Sequence, residues 1–289
     1  MDGIIAAVPT PVDAAHMPLR ELFVDHCQWA LANGCDGLNV LGSTGEANSF
    51  DTATRRAVMG WAAEACPTER LMVGTGTPSL AETVALTRAA DDLGYGVALV
   101  LPPYYYKPVS DAGLIAWYTD LHDALGARAI QIYFYNFPQM TGLGIPVPVI
   151  AELSQRFPKR FTGIKDSSGD LDYARAIVAA DAALRVFPSS ETVVHHARAD
   201  GFAGCISATV NVTAPLCAQV WASDGDVPSG LVEEISRQRM AMAGPTLIPS
   251  VKHMMSHRTG DAMWRNTLPP FLPLHGTAAR DLETALTSL

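Results

Sequence analysis

Apolar positions along the chain fall into two alternating kinds of segment. Short runs without polar alternation occupy residues 4–8, 37–41, 71–74, 97–101, 130–135, 161–165, 184–187 and 202–206. Each suits a parallel strand covered on both faces. Between them, residues 52–65, 80–93, 111–124, 147–156 and 171–180 space their apolar side chains as helices do, and Asp51, Ser79 and Ser110 stand where a side chain must take up free N–H groups. Eight strands alternating with helices predict an α/β fold, a (β/α)8 TIM barrel. An open doubly wound sheet shows the same alternation; the strand count is what favours closure. Beyond the eighth strand, residues 232–243, 250–257 and 277–286 read as further helices punctuated by Pro245, Pro249, Pro269, Pro270 and Pro273. No low-complexity linker or internal repeat intervenes. The expected organisation is one domain, a barrel over 1–225 with a helical C-terminal extension of the same domain over 226–289.

Composition narrows the function classes. Of 289 residues, 48% are apolar and 17% charged, enough to build a large core and too little charge for a disordered chain. Twenty basic against 29 acidic side chains leave a net charge of −9 with no Lys/Arg run, so a nucleic acid is a poor partner. No apolar stretch approaches the roughly 20 residues of a membrane span. The first basic residue is Arg20, which weighs against a secretory leader and points to the cytoplasm. Five cysteines without a CxxC pair fit reduced, buried thiols better than disulfides or zinc. His253 and His257 have the spacing of zinc ligands but lack the glutamate of HExxH and a third ligand, and His195-His196 is no better placed, so no metal is expected. Gly74-Thr75-Gly76-Thr77-Pro78-Ser79 is an incomplete dinucleotide fingerprint, and Tyr104-Tyr105-Tyr106 lacks the interleaved basic residues of a base-stacking platform.

In such a barrel, chemistry sits at the C-terminal ends of the strands. There the chain places Gly42-Ser43-Thr44-Gly45-Glu46 after strand 2, Tyr135-Asn136-Phe137-Pro138 after strand 5, Lys165-Asp166-Ser167-Ser168 after strand 6, Ser189-Ser190-Glu191 after strand 7 and Ile206-Ser207-Ala208-Thr209 after strand 8. Lys165 ends an apolar strand and is expected to point into the barrel mouth. Burial disfavours the charged form of an amine, and a neutral amine attacks a carbonyl to form a Schiff base. The competing reading is a lysine paired with Asp166 or reaching solvent. Ser43 and Thr44 lie in a glycine-flanked turn whose hydroxyls and N–H groups suit a carboxylate, although helix capping alone accounts for such a turn. Tyr135, on the strand beside Lys165, offers a phenol for proton transfer.

Leu41-Gly42-Ser43-Thr44-Gly45-Glu46, Tyr135-Asn136-Phe137-Pro138-Gln139-Met140-Thr141-Gly142 and Gly163-Ile164-Lys165-Asp166-Ser167-Ser168-Gly169-Asp170 resemble, in order and spacing, three signatures of the dihydrodipicolinate synthase/N-acetylneuraminate lyase family. The segment from Gly204 to Asn211 resembles a fourth. The resemblance implies a pyruvate-dependent class I aldolase in which Lys165 forms the Schiff base and Tyr135 is the general acid/base. Ser43 would link Tyr135 to Tyr105 of a neighbouring subunit, Thr44 and Gly45 would hold the pyruvate carboxylate, and Ile206 would line the pocket with its carbonyl. It implies a homo-oligomer, a dimer of dimers, and no cofactor.

Departures from the family pattern bear on the second substrate. In the synthase an arginine follows the Tyr-Asn-x-Pro element and grips an acidic aldehyde; here that position is Met140, which cannot hold a carboxylate. The form of this element is similar to 2-keto-3-deoxy sugar-acid aldolases, with an uncharged hydroxyaldehyde as partner, and Ser189, Ser190, Glu191 and Thr209 are candidate hydroxyl contacts. Lys107 and arginines elsewhere in the mouth are the cations able to restore the synthase reading. Ser189 and Thr192 replace residues that the lyases use for the sugar chain, which disfavours sialic acid. A keto-deoxy acid dehydratase and a non-catalytic keto-acid binder are the remaining alternatives.

Overall fold

The computed structural model describes residues 1–223 and 227–287. Its eight strands are β1 (Gly3–Ala7), β2 (Gly37–Val40), β3 (Leu71–Gly74), β4 (Val97–Val100), β5 (Gln131–Asn136), β6 (Phe161–Asp166), β7 (Arg185–Pro188) and β8 (Gly204–Ser207). All pair in parallel in the order β7-β6-β5-β4-β3-β2-β1-β8. The Ala203 N–H donates to the Val186 carbonyl at 2.9 Å and draws the two ends of the sheet together, so the barrel is nearly closed. The strands lie within a residue or two of their expected positions.

The helices are α1 (Arg20–Ala32), α2 (Thr52–Ala65), α3 (Leu80–Asp92), α4 (Asp111–Leu125), the single turn α5 (Pro138–Thr141), α6 (Val147–Arg156), α7 (Leu171–Ala180), α8 (Val210–Ala222), α9 (Leu231–Met242), α10 (Leu247–Thr259) and α11 (Gly276–Thr287). Asp51, Ser79 and Ser110 cap α2, α3 and α4 as their sequences predict. Three of the described helices, α1, α8 and the single turn α5, escape the sequence reading. Leu19 gives α1 no side-chain cap, and α8 carries Pro215 inside and is apolar along most of its length, exposed side included, which blurs its periodicity. The expected boundary between barrel and extension, at residues 225 and 226, lies outside the described residues.

The barrel interior is filled by Ile5, Ala7, Met72, Val97, Leu99, Leu101, Tyr133, Tyr135, Phe187 and Ile206. A register shift between β5 and β6 brings Tyr133 opposite Gly163, where any Cβ would meet the Tyr133 ring at 2.8 Å. Tyr133 therefore lies over Gly163 and stacks on Phe187, with ring centroids 6.0 Å apart. This apolar floor closes the barrel beneath Lys165. All five cysteines are free and buried. Among the described residues no helix is long and apolar enough to cross a membrane.

Candidate active site

Strand register brings the central pair together. Tyr135 on β5 lies directly opposite Lys165 on β6, and both are buried. The Lys165 Nζ sits 4.7 Å from the centroid of the Tyr135 ring. The Asp166 carboxylate is held by the Asn136 amide at 2.7 Å and the Ser168 hydroxyl at 2.7 Å, and burial pushes its pKa up. Lys165 forms no ion pair among the described residues, so the pairing with Asp166 that competes for it in the sequence is not made. One strand end thus carries a lysine for the mouth and an aspartate that ties β6 to β5.

The turn after β2 faces this pair. Ser43 Oγ lies 3.2 Å from Tyr135 Oη. Leu41 and Glu46, neither of them glycine, bracket the turn at φ 53° and 54°. Each such residue costs about 1–2 kcal/mol, so the surroundings must hold the turn in place. Gly74 makes room, since a Cβ there would meet the Leu41 carbonyl at 2.1 Å. Thr10 donates to the Gly45 carbonyl at 2.9 Å. The Glu46 carboxylate accepts from the Leu268 N–H at 2.6 Å and forms an ion pair with Lys252 of α10 in which both side chains are wholly buried. Burial lowers the Lys252 pKa; Glu46 pulls it back up.

Ser43, Thr44, Tyr135, Met140, Lys165, Ser189 and Ile206 line one cavity of about 240 Å³, roofed by Leu247, Ile248 and Phe271 of the C-terminal segment. Seven of the ten residues singled out in the sequence thus converge. Gly45 is buried behind the cavity in the turn. Tyr105 does not line it: the side chain is 72% exposed and packs edge-on against Tyr106. Glu191, expected as a hydroxyl contact, also departs from its expected place. Its carboxylate is 1% exposed and accepts from Ser207 at 2.6 Å, from Thr213 at 3.0 Å and from Thr209. Lys107 does not line the cavity either; it donates to the Tyr104 and Thr141 carbonyls, both at 2.8 Å.

Arg239 of α9 is the residue that sequence reasoning missed. It lines the cavity and pairs with Glu191 at 2.9 Å. Nothing local marks it, because it lies on a helix outside the barrel and 48 residues from its partner. No group of three or more His, Cys, Asp or Glu able to hold a metal occurs among the described residues. His253 instead bonds Glu283 at 2.7 Å, and His196 bonds Asp200 at 2.7 Å.

Comparisons with known proteins agree with this fold. The family model of the dihydrodipicolinate synthetase family matches residues 1–288. An uncharacterized DapA-like lyase of Chloroflexus aurantiacus is 31% identical, over 98% of this chain and 95% of its own. The crystal structure of a dihydrodipicolinate synthase from Agrobacterium tumefaciens superposes with a TM-score of 0.91 at 27% identity, covering 100% of this chain and 99% of its own. A variant of the 2-keto-3-deoxygluconate aldolase of Sulfolobus solfataricus shares the fold, with a TM-score of 0.88 at 20% identity over 99% and 95% of the two chains. The chain belongs to the dihydrodipicolinate synthetase family and is a lyase of that family.

Proposed function

We propose that this member of the dihydrodipicolinate synthetase family joins pyruvate to a hydroxyaldehyde, or splits the matching 2-keto-3-deoxy sugar acid, through an imine on Lys165. The observation that carries the reading is the buried lysine, free of any ion pair among the described residues, beside Tyr135 on register-paired strands at the cavity floor. The Lys165 amine adds to the keto carbon of pyruvate, and water leaves to give an iminium. Loss of a methyl proton gives an enamine, whose carbon attacks the aldehyde carbonyl and forms the new C–C bond. The resulting alkoxide takes up a proton, and water hydrolyses the imine to release product and restore the amine. Cleavage is the reverse sequence. The iminium is itself the electron sink, so the steps balance without a cofactor.

Tyr135 carries the protons, and Ser43, at 3.2 Å, passes them on. Thr44 and the amides of the turn through Gly45 hold the pyruvate carboxylate, and Ile206 lines the wall beside it. Tyr105, exposed in its own chain, suits the relay of a second copy, which makes the working unit a homo-oligomer, a dimer of dimers by family likeness. Met140, 64% exposed at the rim, offers no grip to an acidic aldehyde, whereas Ser167 and Ser189 offer hydroxyls to a polyol.

Borohydride reduction in the presence of pyruvate, followed by peptide mass spectrometry, tests the reading. The expected result is an irreversible pyruvate adduct on Lys165, absent from Lys165→Ala. A folded protein that yields no adduct overturns the proposal and leaves a non-catalytic keto-acid binder.

A further inference from the structure

The wall of the cavity built from β7, β8 and α9 differs in character from the rim at Met140. Arg239 reaches the mouth from outside the barrel, and its side chain is 22% exposed there. One terminal nitrogen, Nη1, is fully committed: it donates to Glu191 at 2.9 Å, to Ser207 Oγ at 3.0 Å and to Thr209 Oγ1 at 2.9 Å. These three acceptors are themselves buried and mutually bonded, so they fix the guanidinium plane. Nε and Nη2 have no hydrogen-bond partner among the described residues. Together they form the side-on fork of the guanidinium, whose two parallel N–H groups match the two oxygens of a carboxylate.

The Glu191 carboxylate balances the charge of Arg239, which limits the attraction for distant anions. It leaves the fork unused, and a preoriented fork at the edge of a small cavity gains its contacts with little ordering cost. Met140 marks the strand-5 side as unable to hold a carboxylate, and Arg239 supplies that capacity from the wall built by β7, β8 and α9 of the same cavity.

We propose that Arg239 is a specificity-determining residue, and that the aldehyde-derived end of the keto-deoxy acid carries a terminal carboxylate that its Nε–Nη2 fork receives. The substrate class is then a 2-keto-3-deoxy sugar diacid. This rests on the pyruvate imine reading of the same site and changes only the far end of the substrate.

The test compares two six-carbon 2-keto-3-deoxy acids that differ only at the terminal carbon, CH2OH in one and carboxylate in the other. The initial rate of keto-acid consumption gives kcat/KM for each, whether the products arise by cleavage or by loss of water. The expected wild-type preference for the diacid is about ten- to a hundredfold, the range of a paired charge-assisted contact. Arg239→Gln should bring the ratio near unity, and Arg239→Lys, which keeps a charge but no fork, should fall between. Arg239→Gln leaves Glu191 buried without its cation, so Arg239→Gln/Glu191→Gln serves as the variant if the single change does not fold. The proposal is overturned if the wild type shows no preference for the diacid, or if the preference survives in a folded Arg239→Gln variant. Borohydride trapping of pyruvate on Lys165 in the same variants separates this outcome from failure of the imine reading, since that adduct does not involve the far end of the substrate.

Discussion

Two carboxylate–cation pairs join the barrel mouth to the C-terminal helices, and they are built to opposite ends. Glu46 and Lys252 are both wholly buried, and Glu46 also caps the Leu268 N–H. Glu191 is equally buried, but Arg239 opposite it is 22% exposed and lines the cavity. The first pair is closed on itself and braces the turn that carries Ser43 and Thr44. The second is anchored at one nitrogen and open at the others. Burial on both sides makes a brace, whereas burial of the anion alone makes a fixed arm with donors to spare. The C-terminal extension is therefore part of the site, since it roofs the cavity and supplies the cation of each pair.

The sharpest way to break this comparison is Lys252→Met. Removing one partner of a closed buried pair leaves an uncompensated carboxylate, with an expected loss of about 3–5 kcal/mol of stability in urea unfolding. The folded fraction should also show a raised KM for pyruvate, because Glu46 no longer holds the turn. Glu46→Gln/Lys252→Met should recover part of the stability. A loss below about 1 kcal/mol in the single variant would mean that the pair is no brace.

A third junction sharpens the contrast because it titrates. His26 of α1 is buried, contacts Asn211 of α8 at 2.7 Å through Nε2 and accepts from Arg258 of α10 at 2.9 Å through Nδ1. Burial pushes its pKa down to about 4, with the nearby Arg258 charge adding to the effect and the Asn211 bond opposing it. Below pH 6.5 the unfolded chain binds a proton that the folded chain refuses. Stability should therefore fall as pH drops from about 6.5 to 4, by roughly 3 kcal/mol in all. Denaturant titrations at pH 7 and pH 4.5 measure it. His26→Gln should flatten the difference, and an equally steep acid loss in that variant would place the cause elsewhere.

The smallest effect is expected at the rim. Met140→Arg should raise the use of aspartate semialdehyde relative to glyceraldehyde by no more than about tenfold, because an exposed guanidinium is well solvated and gains little from one ion pair. A larger gain would move the carboxylate grip from the Arg239 wall to the strand-5 rim; an unchanged ratio would show that Met140 has no part in choosing the aldehyde.

The strands, the capped helices and the lysine–tyrosine–serine group were legible because each is written locally. An apolar run, an Asp or Ser before a helix and a motif of six to eight residues are complete within a few turns of chain. Helices α1 and α8 were not, since one lacks a cap and the other a clean apolar stripe. Tyr105 is named only by the family resemblance, and its own chain leaves it at the surface. Glu191 was placed at the right strand end but not given its partner.

What the sequence by itself determined is the eight strands of the barrel, the strand ends and which side chains stand on them, because apolar runs and the helices between them are written locally and their number favours closure. What only the tertiary structure decided is how those side chains are held. Glu46 meets Lys252 across 206 residues, His26 meets Arg258 across 232, and Glu191 meets Arg239 across 48. A buried carboxylate must find a cation or a donor wherever the folded chain provides one, and no local pattern records where that will be.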